Sequence, residues 1–544
     1  MISVLALWIA VCGVCGFYYR RVLRYLRYFQ QEEYNDKRFV DWLRRHRAFD
    51  RRGTVVCLGM AIGTALIQSV AGSLPALLGW LLGSGVLIWS AWREEDPRST
   101  GKITLKITQR ARRIWWLSCG LFAIATLLVS TPFFLPGLRS YASVFWLCLI
   151  PLIQATPLLL IAANRLLAPH ERRVQKGFRD EAVALLGKVH PLVIGITGSY
   201  GKTSTKVVLA TFMETAGPIF WPPGSINTEM GIVREIREHL KPGHRFAIIE
   251  MGAYGIGSIR KLCALTPPQA AIITCVGAMH LERFGSPEAI FQAKSELAQA
   301  LPEDGLLVCN GDDPGARRVA AKYPKRQTYL YGFNPDDTEL ACWMSDLVVS
   351  ATGTQFILHW QGQTYPGATP LLGKPMLSNM LAAFTLACAL GAHPAALLAA
   401  ARNLRPAAHR LEVRPQGATL MIDDTYNSNP VGFAEALDIL KQVPGGRKRL
   451  VTPGMVELGA IQESENRRLA ELAATICDQV VVVGDTNAKA LLEGLRAGGA
   501  SPEQIRHFAH REQARAFLDE TVESGDVILW ENDLPDLYED QPRF

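Results

Sequence analysis

One short segment, "IGITGSYGKTSTK" at positions 194–206, has the residue types of a phosphate-binding loop. The residues before the turn predict a short buried strand, and those after it predict a helix. In such a strand–turn–helix unit, Gly198 and Gly201 let backbone N–H groups approach phosphate oxygens, and the helix N-terminus adds partial positive charge. Lys202 can reach the β- and γ-phosphates of a nucleotide, and the Thr203 hydroxyl can bind Mg²⁺.

Further polar residues follow predicted strands or lie on predicted helices downstream of this loop. The strands alternate with helices, which predicts α/β architecture with mainly parallel sheets. The helix at 378–391 is predicted to open with Asn379. Five sequence runs contain these polar residues: "FAIIEMGAYGIGSI" with Glu250, "AAIITCVGAMHLERFGSPEAIFQAKSEL" with His280 and Lys294, "SNMLAAFTLACALG" with Asn379, "HRLEV" with Arg410, and "TLMIDDTYNSNPVGFAEAL" with Asp424.

The N-terminal third has the composition of a membrane domain. Charged residues make up only 20% of the 544 residues, and the mean hydropathy is +0.11. Each apolar stretch is close to the ~20 residues that cross a bilayer, so we expect a membrane α-helical bundle. Five transmembrane helices are predicted, at 2–19, 54–72, 75–92, 114–133 and 142–164.

The basic residues between these helices predict their orientation. The loops at 18–53 and 93–113 are rich in Arg and Lys, whereas the opposite loops at 73–75 and 135–143 contain only Arg139. The positive-inside rule then places the N-terminus outside and the large C-terminal part in the cytoplasm of a multi-pass cell-membrane protein. Much of the net charge of +7 lies in these loops, which favours a membrane lipid over nucleic acid as a partner.

In order and spacing, the downstream runs resemble the Mur ligase family over residues 191–544. The "DDTYNSNP" run most resembles the member that adds D-alanyl-D-alanine to the cell-wall precursor. The resemblance implies an ATP-dependent ligase that joins a carboxylate to an amine through an acyl phosphate. It implies ATP and two Mg²⁺ ions as cofactors, with a P-loop central domain and a Rossmann-like C-terminal domain.

The resemblance also implies the roles of single residues. Lys294 matches a lysine that is often carbamylated in the family, a modification that converts a cation into a metal-orienting anion. Catalytic roles fall to Lys202, His280 and Lys294, and metal binding to Thr203, Glu250 and His280. ATP binding falls to Gly198, Ser199, Gly201, Lys202, Thr203 and Ser204, with Asn379 at adenine, Arg410 at phosphate and Asp424 at ribose. Substrate binding falls to Asn227, Thr228, Tyr426, Asn427 and Asn429.

Three stretches depart from the family pattern. "GKPM" at 373–376 replaces Gly-x-His-Asn, and "EMGAYGIGSI" lacks the Asn-His and the Glu usual for the D-alanyl-D-alanine-adding enzyme. "WENDLPDLY" at 530–538 stands where that enzyme has Lys-Gly-Ser-Arg, which places acids in the position of cations. If this region meets the incoming amine, an acidic patch suits a cationic donor.

The N-terminal domain differs most from the family. Soluble ligases of this type carry a domain for the UDP-sugar, whereas the P-loop strand here follows the last predicted span after about two dozen residues, too few for such a domain. The membrane bundle therefore takes its place. The predicted organisation is a transmembrane domain at 1–168, a linker at 169–189, a central ATPase domain at 190–402 and a C-terminal domain at 403–544.

Three functions follow from these observations. The first is a ligase that adds an amino acid or dipeptide to a peptidoglycan or other cell-envelope precursor. This precursor has a free carboxylate and is UDP-, lipid- or polymer-linked. The second is a membrane-tethered ligase for a poly-amino-acid or other envelope polymer. The third is a non-catalytic, nucleotide-binding membrane scaffold, which predicts a lost metal site, although the residues for that site are present.

Overall fold

The computed structural model describes residues 2–71, 74–100, 103–135, 141–277, 284–350, 353–426 and 428–534. The chain divides into two compact units, one that holds the residues up to Val174 and one that spans Gln175–Leu534. Two of the predicted site residues, His280 and Asn427, lie outside the described residues.

The first unit is helical: one helix lies at each of the first four predicted positions, and two helices lie at the fifth. Its aromatic core includes Tyr18 and Phe122, whose rings stack with centroids 3.9 Å apart. The helices are α1 (Ile2–Gln31), α2 (Asp36–Arg45), α3 (Arg51–Ala71), α4 (Leu74–Trp92), α5 (Gln109–Ser130), a 3₁₀ turn (Thr131–Phe134), α6 (Ala142–Gln154) and α7 (Thr156–Val189).

Two of these helices differ from the prediction. Helix α1 continues twelve residues past position 19, through the Arg-rich stretch that was expected in a loop. The prediction of one continuous helix at 142–164 is wrong, because α6 ends at Gln154 and α7 starts at Thr156 with a bend of 53° between them. Pro157 explains the break, since proline has no N–H for the preceding turn. Helix α7 then includes the stretch 169–189 that was predicted as a linker.

By length and apolar composition, two helical segments of the described chain can cross a membrane, Val4–Gln31 and Gln109–Phe134. A third joins them if the bent pair α6 and α7 is counted as one span.

The second unit starts with a nine-stranded sheet in the order β2-β3-β1-β4-β5-β6-β7-β8-β9. The seven strands β1 to β7 run parallel. Strands β8 and β9 extend the sheet as antiparallel strands that were not predicted from the sequence. The strands are β1 (Leu192–Thr197), β2 (Ile219–Phe220), β3 (Phe246–Glu250), β4 (Ala270–Ile273), β5 (Leu306–Asn310), β6 (Gln327–Gly332), β7 (Leu340–Ser350), β8 (Gly353–Trp360) and β9 (Gln363–Thr369).

Helices pack on this sheet and carry much of the candidate site. The helix that contains Asn379, α13 (Lys374–Ala389), starts five residues before it, so Asn379 lies inside the helix and not at its start. The helices are α8 (Lys202–Glu214), α9 (Glu229–His239), α10 (Ser258–Leu265), α11 (Pro287–Ala300), α12 (Pro314–Lys322), α13 (Lys374–Ala389) and α14 (Pro394–Ala401).

A six-stranded sheet follows, in the order β10-β11-β15-β12-β13-β14. All its strands are parallel except β10, which is antiparallel to β11. The two sheets of this unit share one core cluster, which includes Leu381 from α13 and Leu440 from α15. The elements are β10 (Glu412–Gln416), β11 (Thr419–Asp424), α15 (Pro430–Gln442), β12 (Lys448–Thr452), a 3₁₀ turn (Gly459–Ile461), α16 (Gln462–Ile476), β13 (Gln479–Val483), α17 (Ala488–Ala497), β14 (Ile505–Phe508), α18 (Arg511–Thr521) and β15 (Val527–Glu531).

Candidate active site

The predicted phosphate-binding loop has the expected strand–turn–helix geometry. Strand β1 ends at Thr197, and α8 begins at Lys202. Gly201 has φ +79°, and a Cβ there would collide with the side chain of Asn379, so only glycine fits this turn. Lys202 Nζ donates to the carbonyl oxygens of Gly198, at 2.7 Å, and Ser199, at 3.1 Å, so the ammonium group lies against its own loop.

Glu250 lies beside this loop because β3 is the parallel neighbour of β1, with Glu250 opposite Ile196. Its carboxylate is 1% exposed. Oε2 accepts a hydrogen bond from Thr203 Oγ1 at 2.9 Å, and Oε1 accepts one from Asn227 Nδ2 at 2.9 Å. One carboxylate therefore joins the loop helix, the strand end and the segment that contains Asn227.

Lys206 is a site residue that the sequence analysis missed. It lies one turn beyond Lys202 on α8 and has no exposed surface. Its Nζ is 3.2 Å from Glu250 Oε2 and donates to the Gly224 carbonyl at 2.5 Å. A lysine on the buried face of a helix is the sequence signal, because a buried charge needs a partner.

The oxygens of Thr203 and Glu250 fit a magnesium ion. Mg²⁺ prefers hard oxygen ligands and keeps several waters, so it is usually bound through one or two carboxylates together with substrate phosphates. Within the described ranges, no group of three or more His, Cys, Asp or Glu side chains could hold a metal. One hydroxyl and one carboxylate thus match Mg²⁺ shared with a nucleotide rather than a metal bound only by protein.

Lys294 lies on α11 and lines the same cavity as the P-loop. It is 4% exposed. Burial, and then the nearby Lys202 cation, hold the pKa of Lys294 well below its usual range. Both effects favour the neutral amine over the ammonium form of Lys294.

The C-terminal domain supplies another wall of this cavity, which has a volume of about 210 Å³. Arg410 lies 4.4 Å from the centre of the Tyr426 ring, and both line the cavity together with Asn429. Asn429 also caps α15, because its Oδ1 accepts a hydrogen bond from Gly432 N at 2.9 Å. The arrangement can hold an anionic ligand between Lys202 and Arg410.

Other predicted residues support the loop or lie close to the cavity. Asn379 is buried and accepts a hydrogen bond from Thr205 Oγ1 at 3.1 Å, and it is absent from the described cavity lining. Ser199 Oγ donates to the Gly277 carbonyl at 2.8 Å. Ser204 is buried in α8, and Thr228 is the N-cap residue of α9.

Asp424 ends strand β11. Its Oδ1 accepts a hydrogen bond from the Leu411 amide at 3.1 Å. Burial raises the pKa of Asp424 to about 6, and the Arg410 cation opposes that rise. The pKa of Asp424 is thus above that of an ordinary aspartate despite the neighbouring cation.

Comparison with known proteins gives consistent matches over this unit. Profiles described as "Mur ligase middle domain" and "Mur ligase, glutamate ligase domain" match residues 196–387 and 409–531. The UDP-N-acetylmuramoyl-tripeptide–D-alanyl-D-alanine ligase of Escherichia coli is 31% identical over 309 residues, 56% of this chain and 68% of that enzyme. The enzyme of the same name from Mycobacterium tuberculosis is 32% identical over 364 residues, 62% of this chain and 69% of that enzyme.

A solved structure has the same fold. The MurF ligase from Thermotoga maritima in complex with ADP superposes with a TM-score of 0.59 at 27% identity, over 66% of this chain and 80% of that one.

Proposed function

The chain belongs to the Mur ligase family of ATP-dependent C–N ligases, and we propose that it forms an amide bond on a peptidoglycan precursor through an acyl phosphate. One observation carries this proposal: a single cavity contains Lys202 and Thr203 of the P-loop, the Glu250 carboxylate and Lys294. This set also argues against a scaffold without activity, which would not need to keep it.

The reaction has two steps. An oxygen of the acceptor carboxylate attacks the γ-phosphorus of ATP, which forms the acyl phosphate and releases ADP. The amine nitrogen of the donor then attacks the acyl carbon, and the tetrahedral intermediate gives the amide with loss of a proton and inorganic phosphate. Because a carboxylate and a triphosphate repel each other, the first step depends on cations between them.

The P-loop wall supplies part of that charge. Lys202 would bind the phosphates, and Thr203 and Glu250 would hold a magnesium ion whose charge neutralises phosphate oxygens. His280 is proposed as the ligand of a second magnesium ion. Asn227, already hydrogen-bonded to Glu250, would lie between the γ-phosphate and the acceptor.

Lys294 is proposed to act as a carbamate. Its buried position favours the neutral amine. The amine nitrogen would bond to the carbon of CO₂ and lose one proton, which converts the side chain into an anion. A negative charge there would orient a metal ion, whereas an ammonium group would repel it.

The C-terminal wall is proposed to bind the rest of ATP and the donor. Arg410 would contact phosphate, Asp424 the ribose and Asn379 the region of the adenine. Tyr426, Asn427 and Asn429 would contact substrate. The names of the relatives support a muramoyl-tripeptide carboxylate as acceptor and D-alanyl-D-alanine as donor.

The acceptor is further proposed to be borne by a membrane lipid. The family match begins near residue 196, and the residues before it form helices, of which two or three are long and apolar enough to cross a membrane. Because the resemblance implies a UDP-sugar domain in this part of soluble ligases, the helices found here instead support a cell-membrane location with the catalytic domains in the cytoplasm.

The test is turnover by the purified full-length protein. ADP release would be measured with UDP-linked and lipid-linked muramoyl tripeptides in parallel, each with D-alanyl-D-alanine and with a panel of amino acids and other dipeptides. Turnover that needs an acceptor and a donor together, and that Lys202→Met abolishes, is expected. Turnover with lipid-linked acceptor only would support the lipid proposal, and turnover with UDP-linked acceptor only would overturn it. Lack of turnover with every muramoyl acceptor would overturn the peptidoglycan function and favour another envelope polymer.

A further inference from the structure

Asp424 and Glu531 lie side by side at the carboxyl ends of two neighbouring strands. They are partners in the parallel register of β11 and β15, so both side chains leave the same face of the sheet. The preceding partners on that face, Ile422 and Leu529, are both fully buried. Glu531 itself has no exposed surface.

The hydrogen bonds of this pair leave one oxygen without a donor. Glu531 Oε1 accepts from Ser428 Oγ at 2.5 Å, whereas Oε2 is buried and has no donor among the described residues. Asp424 Oδ1 accepts from the Leu411 amide. Arg410, Glu531 and Asp423 act on Asp424, and Asp424 in turn acts on Glu531.

Two ionised carboxylates cannot both be stable in this position. Glu531 has no exposed surface and Asp424 is only partly exposed, so the two charges would repel each other, and a buried oxygen of Glu531 would remain unpaired. A single proton between them removes the repulsion and satisfies Glu531 Oε2. The ionised Asp424 then remains the hydrogen-bond acceptor of the pair.

We propose that Glu531 carries a proton and donates it in a hydrogen bond to Asp424, which makes it a positioning residue for the carboxylate that binds the nucleotide ribose. This inference rests on the proposed function, because it takes the ribose as the ligand of Asp424. It also means that Glu531 offers no negative charge to an amine donor. Asp533, the next acid of the "WENDLPDLY" stretch, is paired with Arg511.

Electrostatics support this assignment of the proton. Burial, and then the Asp424 carboxylate, raise the pKa of Glu531 well above its usual range. Because both pKa values of the pair are raised on folding, the pair stabilises the fold at low pH. That contribution is lost as the pH rises through the raised values.

The test compares two uncharged substitutions of Glu531, one that keeps a hydrogen-bond donor to Asp424 and one that removes it. Glu531→Gln mimics the protonated acid, since its amide oxygen can accept from Ser428 and its NH₂ can donate to Asp424. Glu531→Met has a similar size and no donor. ADP affinity of the full-length protein is expected to stay within about twofold in Glu531→Gln and to fall about tenfold in Glu531→Met, as for the loss of one hydrogen bond to a charged group. Glu303→Gln, at an exposed residue, is the control.

Equal affinities of the Gln and Met variants, or wild-type affinity of Glu531→Met, would overturn the proposal. An infrared spectrum keeps it testable if Glu531→Met does not fold. Wild type and Glu303→Gln should show a protonated-carboxyl C=O band at neutral pH that Glu531→Gln lacks, and identical spectra would contradict the shared proton. If wild type binds no ADP, the proposed function is wrong, and the infrared band still decides where the proton lies.

Discussion

Glu250 is the residue at which three parts of the candidate site meet. Glu250 itself ends β3, Thr203 and Lys206 belong to the P-loop helix α8, and Asn227 belongs to the segment after β2. Without a metal, Lys206 is the cation in direct contact with this carboxylate within the described chain. A magnesium ion at Glu250 would therefore add to a site whose charge is already balanced by protein.

Lys206→Met is expected to destabilise the protein more without Mg²⁺ than with it. Removing one partner of a buried ion pair costs about 3–5 kcal/mol, because the other charge stays buried without compensation. Saturating Mg²⁺ and ADP should restore a larger part of the melting temperature in Lys206→Met than they add to wild type. Lys325→Met, at an exposed lysine, is the control. An equal shift in all three proteins would contradict a charge-balancing role of Lys206.

Lys294→Ala is expected to lose activity and to regain part of it with a short carboxylate such as acetate. The substitution removes the proposed carbamate and leaves a buried space beside the P-loop, into which a small anion can enter. Turnover would be measured with and without the carboxylate, using the inactive Lys202→Met as the control for non-specific rescue. Full activity of Lys294→Ala without rescue would show that no anion is needed at this position.

At the scale of the elements, helix α15 connects stability with the proposed catalysis through its N-cap residue, Asn429. Asn429 caps the helix and also lines the cavity. Asp caps helices as well as Asn does, and a negative charge suits a helix N-terminus. Asn429→Asp should therefore keep the wild-type melting temperature.

The same substitution should lower turnover, because it adds a negative charge to a cavity proposed to hold phosphates. Asn429→Ala should instead lose about 1 kcal/mol of stability with the cap. Melting curves and turnover of both variants separate the two roles. Wild-type turnover in Asn429→Asp would mean that Asn429 only caps the helix.

Local patterns predicted most elements near the site, and the missed site residues depend on long-range contacts. The apolar runs before the P-loop, Glu250 and Asp424 were confirmed as strands, since short buried runs that end in polar residues define parallel strands well. Lys206 and Glu531 were not predicted as site residues, because their partners are strands and loops distant in sequence. The antiparallel strands β8 and β9 were missed for another reason: β9 follows β8 after the two-residue turn Gln361-Gly362, a local hairpin signal that was not used.

For the whole molecule, the proposed membrane location makes the number of spans decisive, because an even number puts both ends of the chain on one side and an odd number puts them on opposite sides. If the helices cross a membrane as proposed, two spans would put both ends on one side, and three spans, or the five predicted from sequence, would put them on opposite sides. The proposed use of cytoplasmic ATP requires the P-loop unit to lie on the cytoplasmic side.

An odd number of spans then places the N-terminal end outside, which agrees with the Arg-rich loops on the inside. A tag at residue 1 should be cleaved by protease added outside intact cells, while a tag after residue 544 should be protected until the cells are opened. Protection of both tags would mean an even number of spans, and either α6 and α7 or one of the other helices would then not cross the bilayer. The same experiment on Pro157→Ala tests the bend between α6 and α7. The substitution should straighten the two helices into one. If the pair already forms one span, both tags should stay on the same sides as in the wild type.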